Sequence, residues 1–102
     1  MWYLYGDTKD EVVPTHDISR VAKVFEDEDY RKVRVTELPG NITVSTVFLM
    51  LDHGWGGGEP VLWETMVFGG SFTDALDEYT RRYTSYADAV KGHEEVVKEL
   101  LA

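Results

Sequence analysis

The chain has 102 residues, 43% hydrophobic and 13% aromatic, a size and composition suited to one domain around one core. Nineteen acidic against ten basic residues give a formal net charge of −9, which argues against broad nonspecific binding to nucleic acid or anionic lipid, because neutralising phosphates takes clustered Lys and Arg. The lack of cysteine excludes a disulfide framework and thiol chemistry, and neither a membrane-length apolar run of about 20 residues nor a secretory leader pattern is present, so the expectation is an intracellular protein without a membrane partner.

The first elements are short. Trp2 to Tyr5, then Val12-Val13 after a charged interval, read as a small strand or hairpin at an edge. Pro14-Thr15 breaks it. Ile18, Val21, Ala22 and Phe25 then recur at i, i+3, i+4 and i+7, predicting an amphipathic helix over 16–26 with Thr15 or Asp17 near its N-cap. The run Glu26-Asp27-Glu28-Asp29 sets four carboxylates at that helix's C-terminal end, where they oppose the macrodipole and repel one another, so the helix should stop there. The run has no EF-hand spacing and lacks its central Gly, and a solvated acidic turn is the simpler reading.

Residues 31–38 alternate, with Val33 and Val35 expected on one face and Lys32, Arg34 and Thr36 on the other. Pro39-Gly40-Asn41 supplies a turn. Residues 42–51 begin in alternation and end as Val47-Phe48-Leu49-Met50-Leu51, apolar on both faces, which calls for cover by helices or a second subunit on each side. A glycine loop follows, with Gly54, Gly56, Gly57 and Gly58 around Trp55, and residues 61–68 return as the partner strand. If that hairpin closes symmetrically about Gly56, Glu64 faces Phe48 and shares a sheet face with Asp52, Met50 and Met66; a slip of one residue reverses the assignment.

Residues 72–79 carry a weak helical or turn pattern through Phe72, Ala75, Leu76 and Tyr79, and Arg81-Arg82-Tyr83 reads as a short extended piece. The clearest helix opens at Thr84-Ser85, with Ser85 and Asp88 at capping-box spacing and a stripe of Tyr86, Val90, His93, Val97 and Leu100. Gly92 in its middle costs about 1 kcal/mol relative to Ala, and its missing side chain suits close approach to the sheet or to a second subunit. The expected fold is α+β: an antiparallel sheet of about four strands with a long C-terminal helix and a shorter N-terminal helix packed on it, in a single domain.

Candidate chemistry centres on the hairpin. A carboxylate among apolar neighbours acquires a partner, shifts its pKa or holds a ligand, which singles out Asp52, His53 and Glu64. In a strand, Asp52 and His53 point to opposite faces, so a shared metal ion needs a bend, and neither a metal nor a cofactor is expected. His93 and His16 have no evident companion, and no nucleophile elbow can be placed. GWGGG lacks the GK[ST] of a P-loop and reads as a hairpin tip. Trp55 on that tip is either tucked back onto its own sheet or a candidate anchor in a partner's pocket or stacking platform. Arg81 and Arg82 precede a helix N-terminus, where guanidinium groups suit phosphate or carboxylate, or neutralise neighbouring acids such as Glu78.

The segments Val44-Ser45-Thr46-Val47-Phe48-Leu49-x-Leu51-Asp52-His53, Gly56-Gly57-Gly58-x-Pro60 and Glu64-Thr65-Met66-Val67-Phe68-Gly69-Gly70, extended by Arg82-Tyr83 and Ala89-x-x-Gly92-His93, together resemble a family of small uncharacterised proteins of tailed bacteriophages and prophages. The similarity covers roughly residues 30–98. It implies a phage accessory protein in the host cytoplasm, and it assigns no role to any residue. Small accessory proteins of phages often neutralise host defences by blocking a protein or sequestering a signalling nucleotide.

The leading expectation is a noncatalytic, homo-oligomeric protein that binds a small anionic, nucleotide-like ligand through Asp52, His53, Trp55, Glu64, Arg81 and Arg82. A protein–protein inhibitor of a host defence or nucleic-acid enzyme is the alternative, without direct nucleic-acid binding. A small metal-dependent hydrolase is a third class, and it predicts turnover that depends on Glu64 or His53.

Overall fold

The aromatic N-terminus pairs with residues beyond its turn: β1 (Trp2–Tyr5) and β2 (Val12–Thr15) form an antiparallel hairpin separate from the main sheet. Asp17 caps α1 (Ile18–Phe25), its carboxylate accepting from Arg20 N–H at 3.1 Å. The helix stops where the carboxylates accumulate, but the acidic run is more than a turn. Asp27 accepts from the N–H groups of Asp29 and Tyr30 and opens a second helix, α2 (Glu28–Arg31). From α2 the Tyr30 hydroxyl accepts the Tyr5 N–H at 2.7 Å, tying this turn to β1.

The computed structural model describes residues 1–54, 57–69 and 80–102. Its main sheet is antiparallel and four-stranded, in the order β3 (Lys32–Leu38), β4 (Ile42–Phe48), β5 (Trp63–Gly69), β6 (Arg81–Tyr83). With α3 (Tyr86–Leu101) and α1 it makes the expected α+β fold. The pattern over residues 72–79 lies outside the described residues.

The sheet has two unlike faces. One carries Thr36, Val44, Thr46, Phe48, Trp63, Thr65 and Val67, and is covered by α3 and the N-terminal hairpin. At one end of this layer Tyr5 stacks on Phe48 with centroids 4.2 Å apart, and Phe48 on Trp63 at 5.3 Å. At the other end Val44, Val67 and Val96 form a smaller aliphatic cluster. Among the described residues no element lies across the opposite face.

Three details differ from the sequence expectation. A bulge between Lys32 and Arg34 breaks the alternation of β3, so Val33 packs on the core while Val35 is exposed on the other face; one extra residue in a strand reverses everything after it. The Glu64 register is the slipped one: Val47 pairs with Glu64 and Phe48 with Trp63. Glu64 thus shares the open face with Met66, while Phe48 turns to the core. Finally, β4 ends at Phe48 because Met50 adopts a positive φ of 68°, a strain of about 1–2 kcal/mol for a non-glycine residue. This twist buries Met50, and its carbonyl accepts the Tyr3 N–H at 2.7 Å, so the chain leaves β5 and joins β1.

In α3 the Ser85 hydroxyl accepts from Asp88 N–H at 3.1 Å, the predicted cap. Its buried stripe is Ala89, Gly92, His93 and Val96, displaced from the predicted line; Tyr86, Val97 and Leu100 are its half-buried flanks.

Candidate functional site

The structure disperses the hairpin residues. Asp52 is exposed and closes its own loop, accepting from Gly54 N–H at 2.7 Å and Val61 N–H at 2.9 Å. Those bonds, Val61 first, hold its carboxyl below the usual carboxylate range. His53 is exposed, with Nδ1 2.6 Å from the Leu51 carbonyl. Glu64, only 12% exposed at its side chain, accepts from Arg82 Nε at 2.8 Å. Arg81 faces the other way and clamps α3 through Glu99 at 2.6 Å and Glu95 at 3.6 Å. Trp55 lies outside the described residues. The principal clefts among the described residues are lined by other side chains, and no three His, Asp or Glu side chains there gather as metal ligands would.

What the sheet does present is its open face. The register sets its side chains in rows: Lys32, Val47, Glu64 and Arg82; then Val35, Ser45 and Met66; then Glu37, Thr43 and Phe68. Val35 and Phe68 are 45% and 50% exposed, so apolar side chains stand in solvent with charges around them. Where this face meets α2, a cleft of about 320 Å³ opens between Glu28 and Arg31 on one wall and Lys32, Val35, Ser45 and Val47 on the other.

Comparison with known proteins yields no match: no protein family, curated protein or solved structure aligns significantly with this chain.

The covered face holds an arrangement that the sequence reading missed. His93, fully buried on α3, sits between two threonines: Nε2 is 2.8 Å from Thr36 Oγ1 and Nδ1 is 2.8 Å from Thr46 Oγ1. Thr46 continues to Thr65 at 2.5 Å, and Thr65 to the Tyr83 hydroxyl at 2.9 Å. Each strand of the sheet contributes one hydroxyl to this line, and the helix contributes the imidazole. A neutral imidazole has one donor and one acceptor nitrogen, so the line is satisfied with its protons running in either direction. Burial, reinforced by the Arg34 charge, pushes His93 below its ordinary pKa, and burial raises Tyr83. Both groups are thereby held neutral.

This line organises the helix–sheet contact and is no catalytic machinery by itself. Its members bond to one another, and Thr46, Thr65 and His93 have no exposed surface. The one available signal was Thr46 and Thr65 among the inward positions Val44, Phe48, Trp63 and Val67, opposite a helix carrying a His. Gly92, next to that His, packs directly on the Tyr83 ring and hydroxyl, so its missing side chain serves approach to the sheet.

Proposed function

We propose that this chain is a noncatalytic binding protein of the phage-accessory type, which acts as a homo-oligomer and takes up a small anionic, nucleotide-like ligand. The observation that carries the reading is the open sheet face: apolar side chains flanked by Lys32 and Arg82 on one row and Glu37 on another. Such a face is stable in water, but it is better placed against another surface.

Binding is favoured over turnover because the hairpin carboxylates are already engaged, Asp52 by two amides and Glu64 by Arg82. The Asp52 carboxylate, held low by those amides, is a poor proton acceptor. No described helix is long and apolar enough to cross a membrane, and the reading requires no membrane.

The test is the mass of the protein in solution, together with calorimetric titration against a panel of nucleotides and inorganic phosphate. An oligomer that Phe68→Asp converts to monomer, and that takes up an anion, supports the reading. A monomer that binds none of the panel sinks it. The exposed Val35 and Phe68 also suit the alternative, an inhibitor that covers a host protein, and a monomer that seats a purified host enzyme on this face would establish that instead.

A further inference from the structure

Three of the five arginines pair with carboxylates among the described residues, Arg34 with Glu94, Arg81 with Glu95 and Glu99, and Arg82 with Glu64, while Arg20 stands exposed in solvent. Arg31 is different. Among the described residues its guanidinium makes one long hydrogen bond, Nη1 to the Phe25 carbonyl at 3.4 Å, and lies over the Phe25 ring at 4.1 Å. Its Nε is buried and has no hydrogen-bond partner among the described residues, and a buried donor of a charged group left unmade carries a desolvation cost. Among the same residues the neighbouring Lys32 reaches only Asp29, at 3.8 Å, and that carboxylate is 92% exposed.

Both cations line the 320 Å³ cleft, with the Ser45 hydroxyl and the Val35 and Val47 side chains. We propose that this cleft binds the oxyanion of a small organic molecule, Arg31 and Lys32 supplying charge, Ser45 a neutral donor, and Val35 and Val47 an apolar floor for the rest of the ligand. Stacking on Phe25 holds the Arg31 guanidinium in place, so little side-chain freedom is lost on binding. The volume lies at the lower end of the range for small-ligand pockets. Glu28 opposes the ligand from the rim, which limits affinity and gives the proposal a second sign to test. This inference rests on the reading of the chain as an anion binder and moves the anion from the hairpin to the junction of α2 with the sheet.

The experiment is an amide-resolved NMR titration of the full chain with inorganic phosphate, phenyl phosphate and benzoate. Phenyl phosphate is expected to shift Lys32, Val35, Ser45 and Val47 saturably and to bind roughly tenfold tighter than inorganic phosphate, as burial of a ring on two valines predicts. Benzoate against phenyl phosphate shows which oxyanion the cleft prefers. Lys32→Gln should weaken binding by about three- to tenfold and Glu28→Gln should tighten it by a few-fold, charge effects of opposite sign. Saturable shifts confined to Asp52, His53, Arg81 and Arg82 would overturn the cleft and leave the anion-binding reading intact. No saturable shift anywhere at millimolar ligand would overturn both. Binding at the cleft that ignores Lys32→Gln and Glu28→Gln would overturn the assigned roles.

Discussion

The Nδ1 of His93 lies 2.8 Å from the Thr46 hydroxyl, in a helix–sheet layer where neither side chain has any exposed surface. The contact is polar where an aliphatic pair would be the ordinary choice, and its strength comes from what it would cost to break. Replacing Thr46 by the isosteric Val removes a hydroxyl without leaving a void, strands the imidazole nitrogen and leaves Thr65 with Tyr83 alone. Thr46→Val is therefore expected to lower stability by roughly 1–3 kcal/mol, whereas Thr36→Val, at a half-buried position where water can replace the hydroxyl, should cost under about 1 kcal/mol. Urea unfolding of the two variants measures the difference.

The same burial makes stability depend on pH in a defined direction. Unfolded, His93 takes up a proton near its ordinary value of 6.5; folded, burial and then Arg34 delay that uptake to lower pH. Between those points the unfolded chain holds more protons, so stability falls as pH drops through the window and is fully present above it. In His93→Gln, which cannot titrate, this decline should be missing, so the difference between the two stability curves isolates it. Thermal unfolding scanned from neutral to mildly acid pH checks it.

Gly92 faces the ring of Tyr83 so closely that a Cβ there has no room. Helix propensity alone would make Gly92→Ala favourable by about 1 kcal/mol, but displacing a ring that also holds Thr65 should reverse the sign, for a net loss of roughly 1–3 kcal/mol. In a Tyr83→Ala background the same substitution should become neutral or stabilising. That change of sign, read from a double-mutant cycle of unfolding free energies, separates packing from propensity.

These residues also show what the sequence could tell. The helix of Ser85 and the alternation of β4 were legible because cap chemistry and hydrophobic period are local. The bulge after Lys32 and the one-residue register of Glu64 were not, since both depend on how loops close and leave no periodic trace. Thr46, Thr65, Tyr83, Gly92 and His93 are scattered along the sequence, yet they meet across 47 residues of chain. Read singly, each Thr is a strand former and His93 a core or rim residue of a helix stripe with no evident companion. Only the layer brought them together. The hairpin residues stand apart for the complementary reason: Asp52 and Glu64 stand out beside apolar neighbours in one dimension, but in three Asp52 caps its loop and Glu64 pairs with Arg82.

Asp52 should accordingly behave as a loop clasp. Asp52→Ala removes the acceptor that joins Gly54 to Val61, and amide exchange at those two positions should accelerate while the Thr46 and Thr65 amides stay protected. Its carboxyl titrates below the ordinary value of 3.8 because the two amides favour the ionised form. The clasp is thus intact above that value and loosens as pH falls through the lowered one, so acid should reproduce the variant's exchange pattern.

Two adjacent arginines give the last contrast. Among the described residues Arg81 makes two ion pairs and Arg82 one, which taken alone ranks Arg81 higher. The partners decide otherwise. Glu95 and Glu99 are about half exposed, whereas the Glu64 side chain is 12% exposed. Removing Arg81 returns two carboxylates to water, at a cost of under about 1 kcal/mol. Removing Arg82 strands a mostly buried charge between Val47 and the β6 edge, and Arg82→Ala is expected to cost more, roughly 1–3 kcal/mol. Glu64→Gln in the Arg82→Ala background should recover most of the loss, because the amide needs no counter-charge. Equal unfolding midpoints for Arg81→Ala and Arg82→Ala would show that the open face leaves Glu64 better hydrated than its burial implies.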